Sequence, residues 1–370
     1  MTPTERRTQA AREGLRERGG AALVCVPGPN VRYLTGFAGE SFERHCLLFV
    51  PARGDPTFVA PELSAADVRE ATGIEDVRAW SDDEDPTALV EDVVAELGLD
   101  GELVLLDDRM WARFVLDLRA AAPEATFGLA SEVLGPLRRR KDDAELDALE
   151  RAAGAADAVL ERLRARGSDV VGTTEAELAR EITDLLAAEG GEGTPFDPVV
   201  AAGENGARPH HAHGDREIRP GDPVVFDFGT RVDGYPSDQT RTLVFAGEPP
   251  DEFPAVHDVV REAQAAGVDA VEPGATAGDV DAAAREVIAA AGYGDAFVHR
   301  TGHGVGLEIH EEPYVAAGND RELEPGMVFS VEPGVYLEGR FGVRIEDLVV
   351  VTESGARRLN RTDRGWDASG

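Results

Sequence analysis

Short apolar runs alternate with amphipathic stretches through the first third of the chain. The runs at 23–26, 47–50, 57–60 and 103–106 have the length and β-branched content of strands, and the stretches near 64–72, 86–97 and 108–121 repeat apolar residues at helical spacing. Alternation of this kind predicts a layered α/β domain. A charged stretch, L-R-R-R-K-D-D, then leads into a helix in which Leu146, Leu149, Ala153, Ala156, Leu160 and Leu163 fall three and four apart. The change of pattern sets a boundary, and the expected domains are 1–137 and 138–370.

In the second domain Thr174 and Glu177 make a capping box ahead of Leu178, Ile182 and Leu185, a further helix is expected from about Glu252 to Val271, and Asp279 is expected to cap another. Between them V-V-F-D-F-G-T, T-R-T-L-V-F, M-V-F-S-V-E and V-R-I-E-D-L-V-V-V read as strands by alternation and β-branching. The C-terminal domain is therefore expected to be α+β. Two of its strand pairs each carry two carboxylates at same-parity spacing.

Charge narrows the partners. Lys and Arg number 37 against 71 Asp and Glu, a net charge of −34 over 370 residues, and Lys141 is the one lysine. A phosphate backbone and an anionic membrane surface would both be repelled, so neither nucleic acid nor membrane is an expected partner. No D-x-D-x-D-G calcium loop accounts for the acidity. A solvated acidic surface with arginine as the cation suggests adaptation to high salt, where a Debye length of ~3 Å quenches self-repulsion. Cys25 and Cys46 stand beside apolar runs and are expected to be buried thiols. With no apolar signal core at the N-terminus and no run of ~18 apolar residues, a cytoplasmic location is expected.

Seven of the eight histidines lie between 210 and 310, and carboxylates interrupt the apolar strands around them. A hairpin turning at Asp233-Gly234 would set Asp227 and Asp238 opposite or diagonal on adjacent strands, roughly 5–8 Å apart at Cβ. A charge inside V-V-F-D-F needs compensation, and two buried carboxylates in one small volume call for a cation. Glu332 in F-S-V-E-P-G and Glu346 in G-V-R-I-E-D repeat the arrangement. Between the pairs lies H-R-T-G-H-G-V-G-L-E-I-H-E, with His303 between two glycines. Four carboxylates and one imidazole make an oxygen-rich site with room for two divalent ions and a bridging hydroxide, best suited to Mn²⁺ or Co²⁺ and next to Fe²⁺ or Zn²⁺. Walker, Rossmann and G-x-S-x-G patterns are absent from the sequence.

These segments resemble the pita-bread metallopeptidase family, which includes methionine aminopeptidase, aminopeptidase P and Xaa-Pro dipeptidase. The resemblance rests on N-G-A-R-P-H, D-F-G with S-D-Q-T-R-T, the His303 segment, P-G-M-V-F-S-V-E-P-G and G-V-R-I-E-D, in that order. It implies that Asp227 chelates one metal, that Asp238 and Glu346 bridge both, and that His303 and Glu332 hold the second. It assigns His210 and His310 to hydrogen bonds with the scissile carbonyl and substrate, Thr240, Arg241 and Arg344 to orienting the carboxylates, and His299 to the substrate site; His211 and His213 receive no role. The N-terminal segment A-A-L-V-C-V-P-G-P-N-V-R-Y-L-T-G-F is similar to the creatinase-like domain of the proline-specific members. The resemblance thus implies hydrolysis of the bond preceding proline in a small peptide, by a homodimer. Two rivals share the fold: metal-dependent hydrolysis of a non-peptide C–N bond, such as a compatible-solute amide or amidine, and a non-catalytic binding module that has lost its ligands. The full ligand set argues against the second.

Overall fold

The computed structural model describes residues 2–368. The chain divides into two compact units, one ending at Arg138 and the other beginning at Arg139.

In the first unit, α1 (Pro3–Glu17) opens on a capping box from Thr2 and Glu5. The apolar pattern does not predict this helix, because it buries only Ala11 and Leu15. There follow β1 (Gly20–Cys25), α2 (Pro29–Thr35), β2 (Leu47–Pro51), β3 (Thr57–Pro61), α3 (Glu62–Thr72), β4 (Asp76–Trp80), α4 (Thr87–Glu96), β5 (Leu103–Leu106), α5 (Ala112–Ala121), β6 (Thr126–Leu129) and α6 (Ser131–Arg139). The strands form one mixed sheet in the order β4-β3-β2-β1-β5-β6. β1 runs parallel to β5 and antiparallel to β2. β2 and β3 are buried throughout, whereas the edge strands β4 and β6 keep exposed positions and so lack the apolar run that reveals the others. Val24, Phe49, Val59, Val93 and Phe114 belong to one core beneath the sheet, and Cys25 and Cys46 are buried free thiols.

The second unit starts with α7 (Asp143–Ala165) and α8 (Glu175–Ala188), each entered through a capping box. Next come β7 (Val199–Ala202), β8 (Val224–Phe228), β9 (Arg231–Val232), β10 (Tyr235–Pro236), β11 (Gln239–Leu243), α9 (Phe253–Asp269) and α10 (Ala277–Ala290). Thr276 caps α10, and Asp279, three residues on, supplies the reciprocal half of its capping box. The expected cap at Asp279 is therefore displaced: the threonine hydroxyl accepts from the Asp279 N–H while the aspartate accepts from the Thr276 N–H. The chain closes with β12 (Gly302–Gly304), β13 (Glu311–Val315), β14 (Val328–Val331), β15 (Gly334–Leu337), β16 (Phe341–Arg344), β17 (Asp347–Thr352) and β18 (Gly355–Arg358).

Two hairpins are built alike. In the first, Thr240 pairs with Asp227 on β11 and β8, and the same register continues to Tyr235 opposite Val232. Asp233 and Gly234 both have positive φ, as a two-residue type I′ turn requires. In the second, Val331 pairs with Asp347, and Gly334 with Arg344, so Glu332 and Glu346 stand opposite each other in the gap between. A glycine lies against a serine of each, from within the first hairpin and from β12 beside the second: a Cβ on Gly229 would come within 1.9 Å of the Ser237 carbonyl oxygen, and one on Gly302 within 1.8 Å of that of Ser330. α7 and α8 cover the first hairpin through Leu160, Leu178, Ile182, Phe226 and Phe228. α9 and α10 cover the second through Val260, Ala284, Ile288, Val335 and Val343.

Candidate metal centre

Asp227 lies within β8, paired on both sides, whereas Asp238, Glu332 and Glu346 sit where strand pairing is interrupted. The expected continuous strand over V-R-I-E-D-L-V-V-V is broken between β16 and β17, because the Glu346 N–H donates to the Thr240 carbonyl of the other hairpin at 3.0 Å. Likewise the Glu332 N–H turns to the Thr301 carbonyl at 2.8 Å. Asp238 lies just before β11, two positions along from the residue that faces Asp227, which makes that pair diagonal. The two hairpins are thus tied together where they carry acid groups.

Ligand-capable atoms of Asp238, His303 and Glu346 lie within 4.8 Å of one another, and all three residues are buried. His303 Nε2 is 3.3 Å from Glu332 Oε1 and 3.5 Å from Asp238 Oδ2. Asp227 is held from behind by Arg344, whose Nη2 donates to Oδ2 at 2.5 Å. Thr240 donates its hydroxyl proton to Glu346 Oε2 at 2.6 Å and accepts from Arg344 Nε at 3.1 Å. One oxygen of each of Asp227 and Glu346 is therefore fixed by protein donors. The other, Oδ1 of Asp227 and Oε1 of Glu346, is buried with no hydrogen-bond partner. Orphaned buried acceptors carry a desolvation penalty of ~1–3 kcal/mol each, more for a charge, and a cation removes it.

The electrostatics agree. Burial, reinforced by neighbouring carboxylates, raises the pKa of Asp238 and Glu346 well above the ordinary carboxylate range. Burial also raises Glu332 to about 7, with Arg344 opposing the shift. Without positive charge these groups would take up protons; divalent ions would let all of them ionise. Burial, with the charge of His310 added, lowers His303 to about 3, so its imidazole is neutral and able to ligate. The donor set of oxygens plus one nitrogen fits divalent cations, and the unpaired oxygens face no protein donor.

Of the other expected residues, His310 lies against the ligand set, its ring centroid 4.2 Å from that of His303. His210 is exposed, on the segment after the 3₁₀ turn Gly203–Ala207, beside Pro209, whose carbonyl accepts from Arg344 Nη1 at 3.3 Å. His299 has both nitrogens engaged: Nδ1 faces the Arg300 carbonyl at 2.7 Å and Nε2 the Tyr336 hydroxyl at 2.8 Å. Burial lowers His299 to about 4, so Nδ1–H donates to the carbonyl and Nε2 accepts from the tyrosine. Tyr336 in turn accepts from Arg344 Nη1 at 2.9 Å. Arg241 touches none of the five carboxylate and histidine candidates through their side chains among the described residues. Its five N–H groups serve the carbonyls of Thr240, Glu346, Thr362 and Asp363 and the carboxylate of Asp347, so it fixes the main chain on which Glu346 stands.

Three residues in supporting positions escape the sequence reading. Ser330 accepts from the His303 N–H and donates to Glu332 Oε1, both at 3.0 Å. Its signal is a lone hydroxyl at same-strand parity with Glu332. Tyr336 is the second. Glu175 is the third: fully buried at the start of α8, it accepts from the N–H groups of Ala202 and Gly214, from Asn205 Nδ2 and from His211 Nε2. It therefore gathers the segment that carries His210, and gives His211 a structural partner. His213 meets the Pro198 carbonyl at 3.0 Å.

Comparison with known proteins gives the family. The profile of metallopeptidase family M24 matches residues 147–353, and that of the creatinase/prolidase N-terminal domain matches residues 7–139. The chain is similar to the crystal structure of dipeptidase PepE from Mycobacterium ulcerans, with 44% identity, a TM-score of 0.91, and 99% of this chain and 97% of that one covered. It is similar to the recombinant prolidase from Thermococcus sibiricus, with 39% identity, a TM-score of 0.94 and 99% of each chain covered. An Xaa-Pro dipeptidase from Lactobacillus delbrueckii subsp. lactis is 35% identical over 356 residues, 94% of this chain and 95% of the relative. The chain belongs to metallopeptidase family M24, as an α/β creatinase/prolidase N-terminal domain joined to an α+β pita-bread catalytic domain.

Proposed function

We propose that this metallopeptidase is an Xaa-Pro dipeptidase that uses two divalent ions, Mn²⁺ or Co²⁺, held by Asp227, Asp238, His303, Glu332 and Glu346. The observation that carries the reading is the pair of buried, unpartnered carboxylate oxygens on Asp227 and Glu346 beside the Asp238–His303–Glu346 cluster. The names of the relatives that span the whole chain support the substrate class. They do not favour the rival expectation, hydrolysis of a non-peptide C–N bond.

Divalent ions in such a site supply Lewis acidity and lower the pKa of water toward neutrality. The chain's own residues supply position. Arg344 and Thr240 hold Asp227 and Glu346 at one oxygen each, and Ser330 fixes Glu332 against His303. His310 and His210 are assigned the hydrogen bonds to the carbonyl oxygen that gathers charge as the bond to proline breaks. A proline nitrogen has no N–H to recognise, so selection rests on the ring and the peptide ends. We assign the protein a homodimeric state and an acidic surface suited to high salt. No helix among the described residues is long and apolar enough to cross a membrane.

One assay tests the reading: release of proline from an Xaa-Pro dipeptide, compared with cleavage of an Xaa-Pro-Xaa tripeptide and of a cyclic solute amide, with Mn²⁺ in molar KCl. Turnover confined to the cyclic amide would replace the peptidase reading with its rival.

A further inference from the structure

The basic run at the domain boundary, L-R-R-R-K-D-D, is put to use inside the second unit. Lys141 is the one lysine among 37 basic residues, and its side chain is fully buried. Its Nζ donates to Glu311 Oε1 at 2.8 Å and to the Arg139 carbonyl at 3.3 Å. Its two neighbours pair alongside: Arg139 with Glu312, and Arg140 Nη1 with Glu324 Oε2 at 3.2 Å. The backbone is fixed as well, since Arg140 bridges to Met327, just before β14, and the Lys141 N–H donates to the Gly326 carbonyl at 2.8 Å.

These anchors meet β13 where it begins. Glu311 is the first residue of that strand, pairs with Gly304 of β12, and directly follows His310. His310 is exposed, so enclosure does not fix its imidazole, and the chain beside it has to. On that side the Glu311 carboxylate, 10% exposed, is held by Lys141 and lies so near Gly306 that a Cβ there would come within 2.3 Å of Oε1. The carboxylate is thus pinned between the boundary segment and the loop that follows His303. Lysine suits such a place, because its ammonium is a compact point charge whereas a guanidinium needs room for a planar fork.

We propose that Lys141 is a positioning residue for His310, acting through Glu311, and that it sets the rate of the chemical step without touching substrate or metal. This assignment rests on the reading of His310 as a hydrogen-bond donor to the scissile carbonyl, and deepens it. A buried carboxylate that loses its cation turns to other donors or to water, and the imidazole on the adjacent residue moves with it. A displacement of about 1 Å is enough to cost about 10²-fold in rate.

The test is a double-mutant cycle on an Xaa-Pro dipeptide, at saturating Mn²⁺ and in salt that keeps the protein folded. Lys141→Met should lower kcat by about 10- to 100-fold with KM and bound metal close to wild type, and His310→Ala should lower it by about 10²–10³. In the His310→Ala background Lys141→Met should have almost no further effect on kcat, because the group it positions is gone. Lys141→Met combined with Glu311→Gln leaves neither partner of the pair charged, so the melting midpoint should recover toward wild type while kcat stays low. Independent effects of Lys141→Met and His310→Ala on kcat, metal lost in step with activity, or a kcat that returns with stability in the Lys141→Met, Glu311→Gln protein overturns the assignment. So does an unchanged kcat in Lys141→Met beside a large fall in His310→Ala, which leaves the reading of His310 standing. A wild-type kcat in His310→Ala removes both.

Discussion

Glu175→Gln changes one atom of a fully buried side chain and should be among the more damaging isosteric substitutions in the protein. The carboxylate takes four donors, Ala202 N–H and Asn205 on one oxygen, His211 and Gly214 N–H on the other. Glutamine retains one oxygen and turns the other into an NH₂ that faces two donors. At about 1.5–3 kcal/mol for each hydrogen bond to a charged group, two lost bonds cost about 3–6 kcal/mol. A unit of this size shifts by about 2–4 °C per kcal/mol, so the melting midpoint should fall by the order of 10 °C. The segment from 202 to 214 also presents His210, so kcat should drop by about tenfold or more as its position loosens. Bound metal should be unchanged, because Glu175 touches none of the five ligand candidates among the described residues. Thermal melts, metal analysis and steady-state kinetics on one preparation measure all three. A midpoint within about 2 °C of wild type would refute the clamp; loss of metal in step with activity would mean that the loop holds the ligands and not His210.

Three further outcomes follow from other parts of the structure. His210→Ala should keep its metal while kcat falls by about 10²–10³, the loss of one oxyanion donor, and metal loss in parallel would reassign it as a ligand. His257 is buried against Phe253 with neither ring nitrogen hydrogen-bonded, and burial lowers it to about 4. Because its folded pKa lies below the unfolded value near 6.5, its contribution is complete above pH 6.5 and is lost as pH falls toward 4, by up to about 3 kcal/mol. His257→Phe should flatten the pH dependence of the melting midpoint in that window, and an unchanged slope would show that other groups set it. With a net charge of −34, the midpoint should rise as KCl is taken from dilute to molar at saturating Mn²⁺; a flat response would leave the acidic surface a role in solubility alone.

Chemistry-bearing residues were more legible in the sequence than the breaks that position them. Asp227 stands out because a charge in V-V-F-D-F has no bland explanation, and the type I′ turn at Asp233-Gly234 follows from its dipeptide. Glu332 and Glu346 read as strand residues, since apolar alternation runs through both positions. Only the tertiary contacts, Thr301 O and Thr240 O, take their N–H groups out of the ladder. α1 stayed hidden because a helix with two buried residues has almost no apolar stripe, and β4 and β6 because sheet edges keep polar positions. Glu175 was masked by its place: an acid in the first turn of a helix is already favoured by the helix dipole, so nothing in the sequence marks this one as a clamp.

The central claim, a metal centre on two carboxylate hairpins that cleaves before proline, is tested most directly by titrating Mn²⁺ into metal-stripped wild type and Asp238→Asn while following bound metal and proline release together. The account predicts two ions per wild-type chain, with proline release from an Xaa-Pro dipeptide rising as they bind, and a sharp loss of both metal and turnover in Asp238→Asn. Full metal content with undiminished turnover in Asp238→Asn, or two bound ions and no proline released by the wild type, would contradict it.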